Sequence, residues 1–303
     1  MSFSSNVKNE LVKIEYENIC CKKSLLYGMA LFAKSFSARN ITFQTENESS
    51  AQLFKNLLLE LRNIDCKIEI SPAGKTYTIS LDRSDSSKLF SYFSHSPQET
   101  SLKLNASNFA CPHCQNAFLA GAFLSCGTIL TPEKGYHLEF VVPFLNLSKS
   151  FVTLLREMEL SPKTANRKGY NIIYFKGSEV IEDCLYIMGA ASSMFDMMNV
   201  KIVKEIRNSA NRKANCETAN IQKTVDAASP QIAAIMKIQS TIGLDSLSPQ
   251  LKEMALMRLD NPDLSLKELA EMFEPQLSKS GANHRLKRLV DLSLIHISEP
   301  TRH

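Results

Sequence analysis

The sequence predicts an α+β protein: a tandem αββαββα duplication with pseudo-twofold symmetry, followed by an all-α unit that ends in a basic helix. Three observations carry this. Two apolar helical runs are each built around one glycine, Gly28 and Gly121, at an offset of 93 (121 minus 28). The β-like runs and amphipathic stretches that follow the first glycine recur in the same order after the second. Toward the C-terminus a capping box, a proline-broken turn and an acid-free basic stretch follow one another.

The first repeat runs from Cys21 through Leu-Leu-Tyr-Gly28 to Ser35, and the second from Cys114 through Leu-Ala-Gly121 to Thr128. Glycine inside a helix costs about 1 kcal/mol relative to alanine, so each one predicts close backbone contact with another helix. After the first copy come a strand-like run at Ile41–Thr45, an amphipathic helix over 52–62, two β-like runs around the turn Ser71-Pro-Ala-Gly74, and a helix over 86–93. After the second come a strand at 136–142, a helix over 147–158, a strand at 172–175 beyond the turn Lys168-Gly169, and a helix over 179–188. Neither half can bury its glycine helix alone, so the two should pair.

Composition narrows the function classes. At 303 residues the chain has room for about two domains of ~100–200 residues each. Hydrophobic residues at 44% and charged residues at 22% exclude a disordered chain, and eight cysteines in a chain of this length exclude a small disulfide scaffold. No apolar run reaches the ~18 residues that a membrane span needs, and the opening MSFSSNVKNELVKIEYEN lacks the layout of a signal peptide. The expected location is therefore cytoplasmic, with no membrane partner and with reduced thiols. The net charge of +4 says little until it is located.

Beyond Met198 the pattern becomes polar and cationic, with Arg207, Arg212, Lys213 and Lys223 inside a stretch nearly free of aromatics. It reads either as a solvated connecting helix or as a secondary phosphate-contacting surface that uses these four residues. Ser229-Pro230 is expected to restart a helix. Ser248-Pro249 then opens a helix to about Leu259, and Asn261-Pro262-Asp263 breaks it. The capping box Ser265-Leu-Lys-Glu268 starts the next helix, and Pro275 ends that one. Ser278 to Val290 forms the last helix, with an apolar seam of Ala282, Leu286 and Leu289 or Val290.

Short helix, turn and basic helix is the helix-turn-helix pattern. Ser278 and Ser280 stand at the N-terminal end of the last helix, where hydroxyls and free N–H groups can grip a phosphate. Lys279, Ser280, Asn283 and His284 are the expected base readers, with Arg285, Lys287 and Arg288 as phosphate anchors. No acid lies between 278 and 290, so Lys279, Arg285, Lys287 and Arg288 account for the whole net charge; elsewhere 31 basic residues balance 31 acidic ones. The implied partner is double-stranded DNA, which adds nucleoid association to the expected cytoplasmic location.

The run Leu119-Ala-Gly-Ala-Phe-Leu-Ser-Cys-Gly127 resembles the helix motif of LAGLIDADG homing endonucleases, and Leu26-Tyr-Gly-Met-Ala-Leu-Phe-Ala-Lys34 is a weaker copy. In active members the acidic residue at the eighth position holds the catalytic divalent cation. Here those positions are Ala33 and Cys126, so no cleavage chemistry is expected. The degenerate pair, together with Asn211-Arg-Lys-Ala-Asn215, Ala219-Asn-Ile-Gln-Lys-Thr224, Leu266-Lys-Glu-Leu-Ala-Glu-Met-Phe273 and Leu277-Ser-Lys-Ser-Gly-Ala-Asn-His-Arg-Leu286, resembles the WhiA family of bacterial regulators. The resemblance implies a DNA-binding transcription factor of cell division, chromosome segregation or sporulation, with other transcription proteins as further partners. A divergent endonuclease and a protein-interaction scaffold are the alternatives. A monomer is favoured, because the duplication already satisfies the pairing. The closing run from Leu292 to Arg302 resembles a translated sequencing adapter, so 292–303, with His296 and His303, carry no functional weight.

The chain thus divides into a first half at 1–95, a second at 96–198, a cationic linker at 199–245 and a helix-turn-helix unit at 246–291. No cofactor or metal is expected. Cys111-Pro-His-Cys114 invites a zinc reading, but adjacent Cys20-Cys21 lacks matching spacing, so the four are expected to be structural thiols at helix starts rather than a cross-repeat cluster. His95 and His137 are isolated in sequence, and no serine or cysteine has an evident base partner.

Overall fold

The computed structural model describes residues 2–295, and the chain divides into two compact units, Met1–Lys204 and Glu205–His303. The first unit opens with α1 (Phe3–Leu11). Its first half then comprises α2 (Ile19–Leu31), β1 (Ser35–Phe36), β2 (Ile41–Thr45), α3 (Glu48–Arg62), β3 (Glu69–Ile70), β4 (Tyr77–Ser80) and α4 (Arg83–Tyr92). The second half comprises α5 (His113–Cys126), β5 (Gly127–Ile129), β6 (His137–Val142), α6 (Leu145–Glu157), β7 (Lys163–Arg167), β8 (Tyr170–Lys176) and α7 (Ser178–Met188). Both halves are αββαββα, as the duplication predicts.

The sheets repeat as well. Their strand orders are β1-β2-β4-β3 and β5-β6-β8-β7, antiparallel throughout. On β2 the residues Ile41, Phe43 and Thr45 turn inward, and on β6 so do Leu138, Phe140 and Val142, the period of two expected of a half-buried sheet. Phe43 faces Ile79 across the first sheet and Phe140 faces Ile173 across the second.

The glycine helices stand at the centre of this unit. Residues 24–31 of α2 and 117–124 of α5 are buried on every side, which is why neither run shows an amphipathic stripe. A Cβ placed on Gly28 would stand 2.3 Å from the carbonyl oxygen of Phe118, and one on Gly121 would stand 2.2 Å from that of Leu25. The backbones touch, so each glycine offsets its helix cost through packing that no larger residue permits.

Several elements depart from expectation for identifiable reasons. Helix α3 starts at Glu48, four residues before the expected start at Gln52, because Asn47 caps it by accepting from the Ser50 amide at 2.8 Å. Strand β7 is wholly exposed and polar but for Ala165, so it carries no hydrophobic alternation to find. The histidines that look isolated in sequence are partnered. His95 Nδ1 lies 2.9 Å from Glu99 Oε2, and its Nε2 lies 2.9 Å from the Tyr27 hydroxyl, which accepts from the Asn105 amide. The arrangement that satisfies every atom has Nδ1–H donating to Glu99 and Tyr27 donating to Nε2. His137 lies 3.0 Å from Glu139 on β6.

Helix α8 (Ala191–Thr241) continues through Pro230, where the sequence suggests a restart. Pro230 is exposed, so water can satisfy the carbonyl that loses its helical donor. A short 3-10 turn (Leu244–Ser246), α9 (Pro249–Asp260), α10 (Leu266–Glu271) and α11 (Lys279–Ile295) complete the second unit. Its core gathers Ile235, Ile238, Met254, Leu269, Phe273 and Leu286. Leu292–Ile295 continue α11, while the rest of the adapter-like tail, with His296 and His303, lies outside the described residues. Among the described residues no helix is long and apolar enough to cross a membrane.

Replacing Gly121 or Gly28 by alanine drives a methyl group into backbone that cannot rotate away. Each substitution should lower the stability of the first unit by roughly 3 kcal/mol or more, read as a fall in the urea midpoint; an unchanged midpoint would refute the backbone contact.

Candidate nucleic-acid interface

The second unit assembles its basic helix through local bonds that the sequence writes almost literally. Ser248 occupies the N-cap position of α9 without a side-chain cap bond, and Pro249 takes the first helical position. Near the end of α9, Arg258 is 1% exposed and its Nη1 donates to the carbonyls of Asn261 at 3.2 Å and Leu264 at 2.8 Å. This holds the breaker loop in place. Ser265 then closes the capping box, its amide donating to Glu268 Oε2 at 2.9 Å while its Oγ accepts from the Glu268 amide at 3.3 Å. Those bonds hold the Glu268 carboxyl below its ordinary range. After α10 the Leu277 amide donates to the Ala270 carbonyl at 3.1 Å, turning the chain toward α11.

Ser278 caps α11. Its Oγ accepts from the Gly281 amide at 3.0 Å, which leaves the hydroxyl proton free to donate outward. The buried seam is Ala282, Leu286 and Leu289, with Val290 only half-buried. At ~100° per residue, Ser280, Asn283, His284, Lys287 and Arg288 occupy the arc opposite this seam, and all five are exposed. Asp291, also exposed, ends the arc on its C-terminal side. Lys279 is exposed beside the seam, whereas Arg285 is half-buried with its guanidinium 5.7 Å from the Phe273 ring centroid. The flat face of Phe273 therefore orients one of the expected anchors.

The four cations of α8 are all exposed but do not form one surface. Arg212 and Lys223 are eleven residues apart, about three turns, and share a side, while Arg207 and Lys213 point elsewhere. Lys223 also lines a cleft of about 230 Å3 together with Lys267, Lys279 and Arg258, so it sits with the start of α11.

In the first unit the two positions that the motif resemblance aligns with catalytic acids lie at the ends of the central helices. Ala33 is buried just beyond α2. Cys126 ends α5, and burial pushes its thiol up to about 12 although the Lys8 ammonium pulls the other way. Lys8 donates to the Leu124 carbonyl at 3.3 Å, and burial holds its ammonium below the ordinary lysine range. A cleft of about 690 Å3 opens here, lined by Lys8, Gln44, Glu46, Ser125 and Cys126 among others, and Glu46 is its one carboxylate. Lys8 and Arg258 escape a reading of the sequence: α1 carries no motif, and a lone arginine in an amphipathic helix looks like surface.

The cysteines require a correction. Instead of separate thiols, Cys20, Cys21, Cys111 and Cys114 bring their four sulfurs within 4.8 Å of one another. The adjacent pair Cys20-Cys21 has the wrong spacing only for one continuous ligand loop, whereas the pseudo-twofold sets two helix starts side by side.

A duplicated αββαββα scaffold followed by a capped helix, a turn and a basic helix defines a LAGLIDADG-like protein with a C-terminal helix-turn-helix unit. The WhiA LAGLIDADG-like domain matches residues 115–207, and the WhiA C-terminal HTH domain matches residues 210–293. The chain is 38% identical over 304 residues to the probable cell division protein WhiA of Ruminiclostridium cellulolyticum, covering 97% of each chain. It is 38% identical over 302 residues to the protein of that name from Lachnospira eligens, covering 95% of each. The crystal structure of full-length WhiA from Thermotoga maritima shares the fold, with a TM-score of 0.59 at 24% identity over 97% of this chain and 99% of that one. The chain belongs to the WhiA family.

Arg258 is the bond donor on which the approach to α10 rests. Arg258→Ala leaves the Asn261 and Leu264 carbonyls without that donor, at about 1–3 kcal/mol each. It should lower the melting temperature of the second unit and speed amide exchange over 261–268, as followed by hydrogen exchange; exchange equal to wild type would show that the loop holds itself.

Proposed function

We propose that the protein is a non-enzymatic, sequence-specific DNA-binding transcription regulator acting in cell division, chromosome segregation or sporulation. One observation carries the reading: the outward arc of α11 presents Ser280, Asn283, His284, Lys287 and Arg288, all exposed, on a helix seated by a capped helix and a turn. That arrangement suits insertion into a major groove, with the N-terminal residues on base edges and the later cations on phosphates. In this reading Lys279, Ser280, Asn283 and His284 read bases, and Ser278, Arg285, Lys287 and Arg288 fix the register. Lys223 and Arg212 extend the phosphate contact along one side of α8, while Arg207 and Lys213 contribute less. Membership of a family whose relatives are named probable cell division proteins supports the biological setting. The partner is promoter DNA, with other transcription proteins beside it, and the duplicated unit favours a monomer.

The absence of chemistry belongs to the same proposal. With Ala33 and Cys126 at the motif positions and the Lys8 ammonium beside Cys126, the cleft presents a cation and a protonated thiol where a divalent ion needs several oxygens.

Two measurements test this. Neutralising Arg285, Lys287 and Arg288 together should weaken binding to every DNA sequence and flatten the plot of log K against log salt by about 0.9 for each phosphate no longer neutralised, whereas Asn283→Ala should cost about 1–3 kcal/mol on the operator alone; unaltered slopes would remove α11 from the interface. Supercoiled DNA incubated with the protein and Mg²⁺ should remain uncut, and nicking abolished by Glu46→Gln would overturn the non-enzymatic reading.

A further inference from the structure

The cysteine cluster lies apart from both sites described above. Cys20 and Cys21 fall in the first turn of α2, Cys114 in the first turn of α5, and Cys111 in the turn just before it. Cys21 and Cys114 are pseudo-symmetry mates, separated by the same offset of 93 as Gly28 and Gly121. The contact that joins the glycines therefore also sets the two helix starts together. Cys111 Sγ is the hub, 3.6 Å from Cys20 Sγ, 3.5 Å from Cys21 Sγ and 3.5 Å from Cys114 Sγ.

We propose that Cys20, Cys21, Cys111 and Cys114 form a four-thiolate site for a single Zn²⁺ that clasps the two halves of the duplicated unit together. Four sulfurs around zinc at ~2.3 Å stand about 3.8 Å apart along the edges of a tetrahedron, close to the separations seen here. A disulfide would require ~2.05 Å, and a cluster of several irons would hold its cysteines farther apart. The donor set selects the ion: with no oxygen ligand it disfavours Mg²⁺ and Ca²⁺ and suits zinc. Cys21 and Cys114 are buried while Cys20 and Cys111 are half-buried, which provides an entry path on one side. The helix N-termini and nearby Lys23 offset the excess negative charge of four thiolates on one dication.

With four protein ligands the site is closed, so the ion holds structure and performs no chemistry. It also stands at the start of α5, about 18 Å along the helix from Cys126 at its other end. Zinc would thus lock the ends of α2 and α5 remote from the Lys8 cleft, and ligand oxidation or metal loss would loosen the central pair there.

The test uses the full chain, reduced and stripped of metal. Titrated with Co²⁺, it should take up one equivalent and develop the near-ultraviolet thiolate-to-metal absorption and the visible bands of a tetrahedral site, both abolished by Zn²⁺. Cys111→Ser/Cys114→Ser should lose this spectrum, and Cys184→Ser/Cys216→Ser should keep it. If the first variant does not fold, alkylation of the wild-type chain decides: Zn²⁺ should protect Cys20, Cys21, Cys111 and Cys114 from iodoacetamide and leave Cys216 as reactive as before. No Co²⁺ uptake by the folded, reduced chain, a spectrum that survives in the folded Cys111→Ser/Cys114→Ser variant, or equal alkylation of the four thiols with and without zinc would each overturn the proposal.

Discussion

Two α-helices cannot bring their axes as close as α2 and α5 do unless the residues between them have no side chain, and Gly28 and Gly121 supply that condition to each other. A Cβ on Gly28 would stand 2.3 Å, and one on Gly121 2.2 Å, from a carbonyl oxygen on the opposite helix. The rest of the first unit follows from this approach. Because the helices fill the middle, their other faces must be covered, and the two four-stranded sheets with α3, α4, α6 and α7 do so in identical order. Because the two halves are related by one offset, features that begin one helix meet those that begin the other. Aromatic rings complete the seam: Phe118 lies 5.4 Å from Tyr27 and 5.9 Å from Phe32 between ring centroids, so a residue of α5 packs against two from the first half.

Much of this is legible in the sequence because it rests on local chemistry. The capping box at Ser265, the breaker around Asn261 and the seam of Ala282, Leu286 and Leu289 each depend on residues within a turn or two of one another, and each appears in the structure with the anticipated partners. The duplication is legible because two copies reinforce a pattern that one would leave faint. What escapes depends on contacts distant in sequence. His95 gains Tyr27 from 68 residues away, Lys8 gains the Leu124 carbonyl from 116, and Cys20 meets Cys111 from 91. No spacing rule applied along the chain detects a pair that exists only because two helices touch.

Pro230 illustrates the opposite failure, a strong local signal overruled by its setting. Proline within a helix costs ~3 kcal/mol or more when the freed carbonyl is buried or the ring clashes. Here Pro230 is exposed, and the residues that follow it place Ile235 and Ile238 in the core of the second unit. Burying those two side chains recovers about 1.5–3 kcal/mol each, enough to keep the helix running where sequence alone would end it. Likewise Arg258 looks like a surface residue until the carbonyls of the breaker loop turn toward it.

The same logic separates the two kinds of charge in the molecule. Arg258 is buried and Lys8 half-buried, and both donate to main-chain carbonyls, where they hold a loop and a helix end. Asn283, Lys287 and Arg288 face solvent from a helix whose position is fixed by its buried side, so their donors remain unspent. A side chain that already satisfies the fold has little left to offer a ligand, whereas a row of unpaired donors on a rigid helix costs the fold nothing and presents a fixed geometry to whatever binds it. If α11 is the reading element, the central helix ends of the duplicated unit serve structure, and recognition rests on a helix that keeps its cations outside and its apolar seam buried.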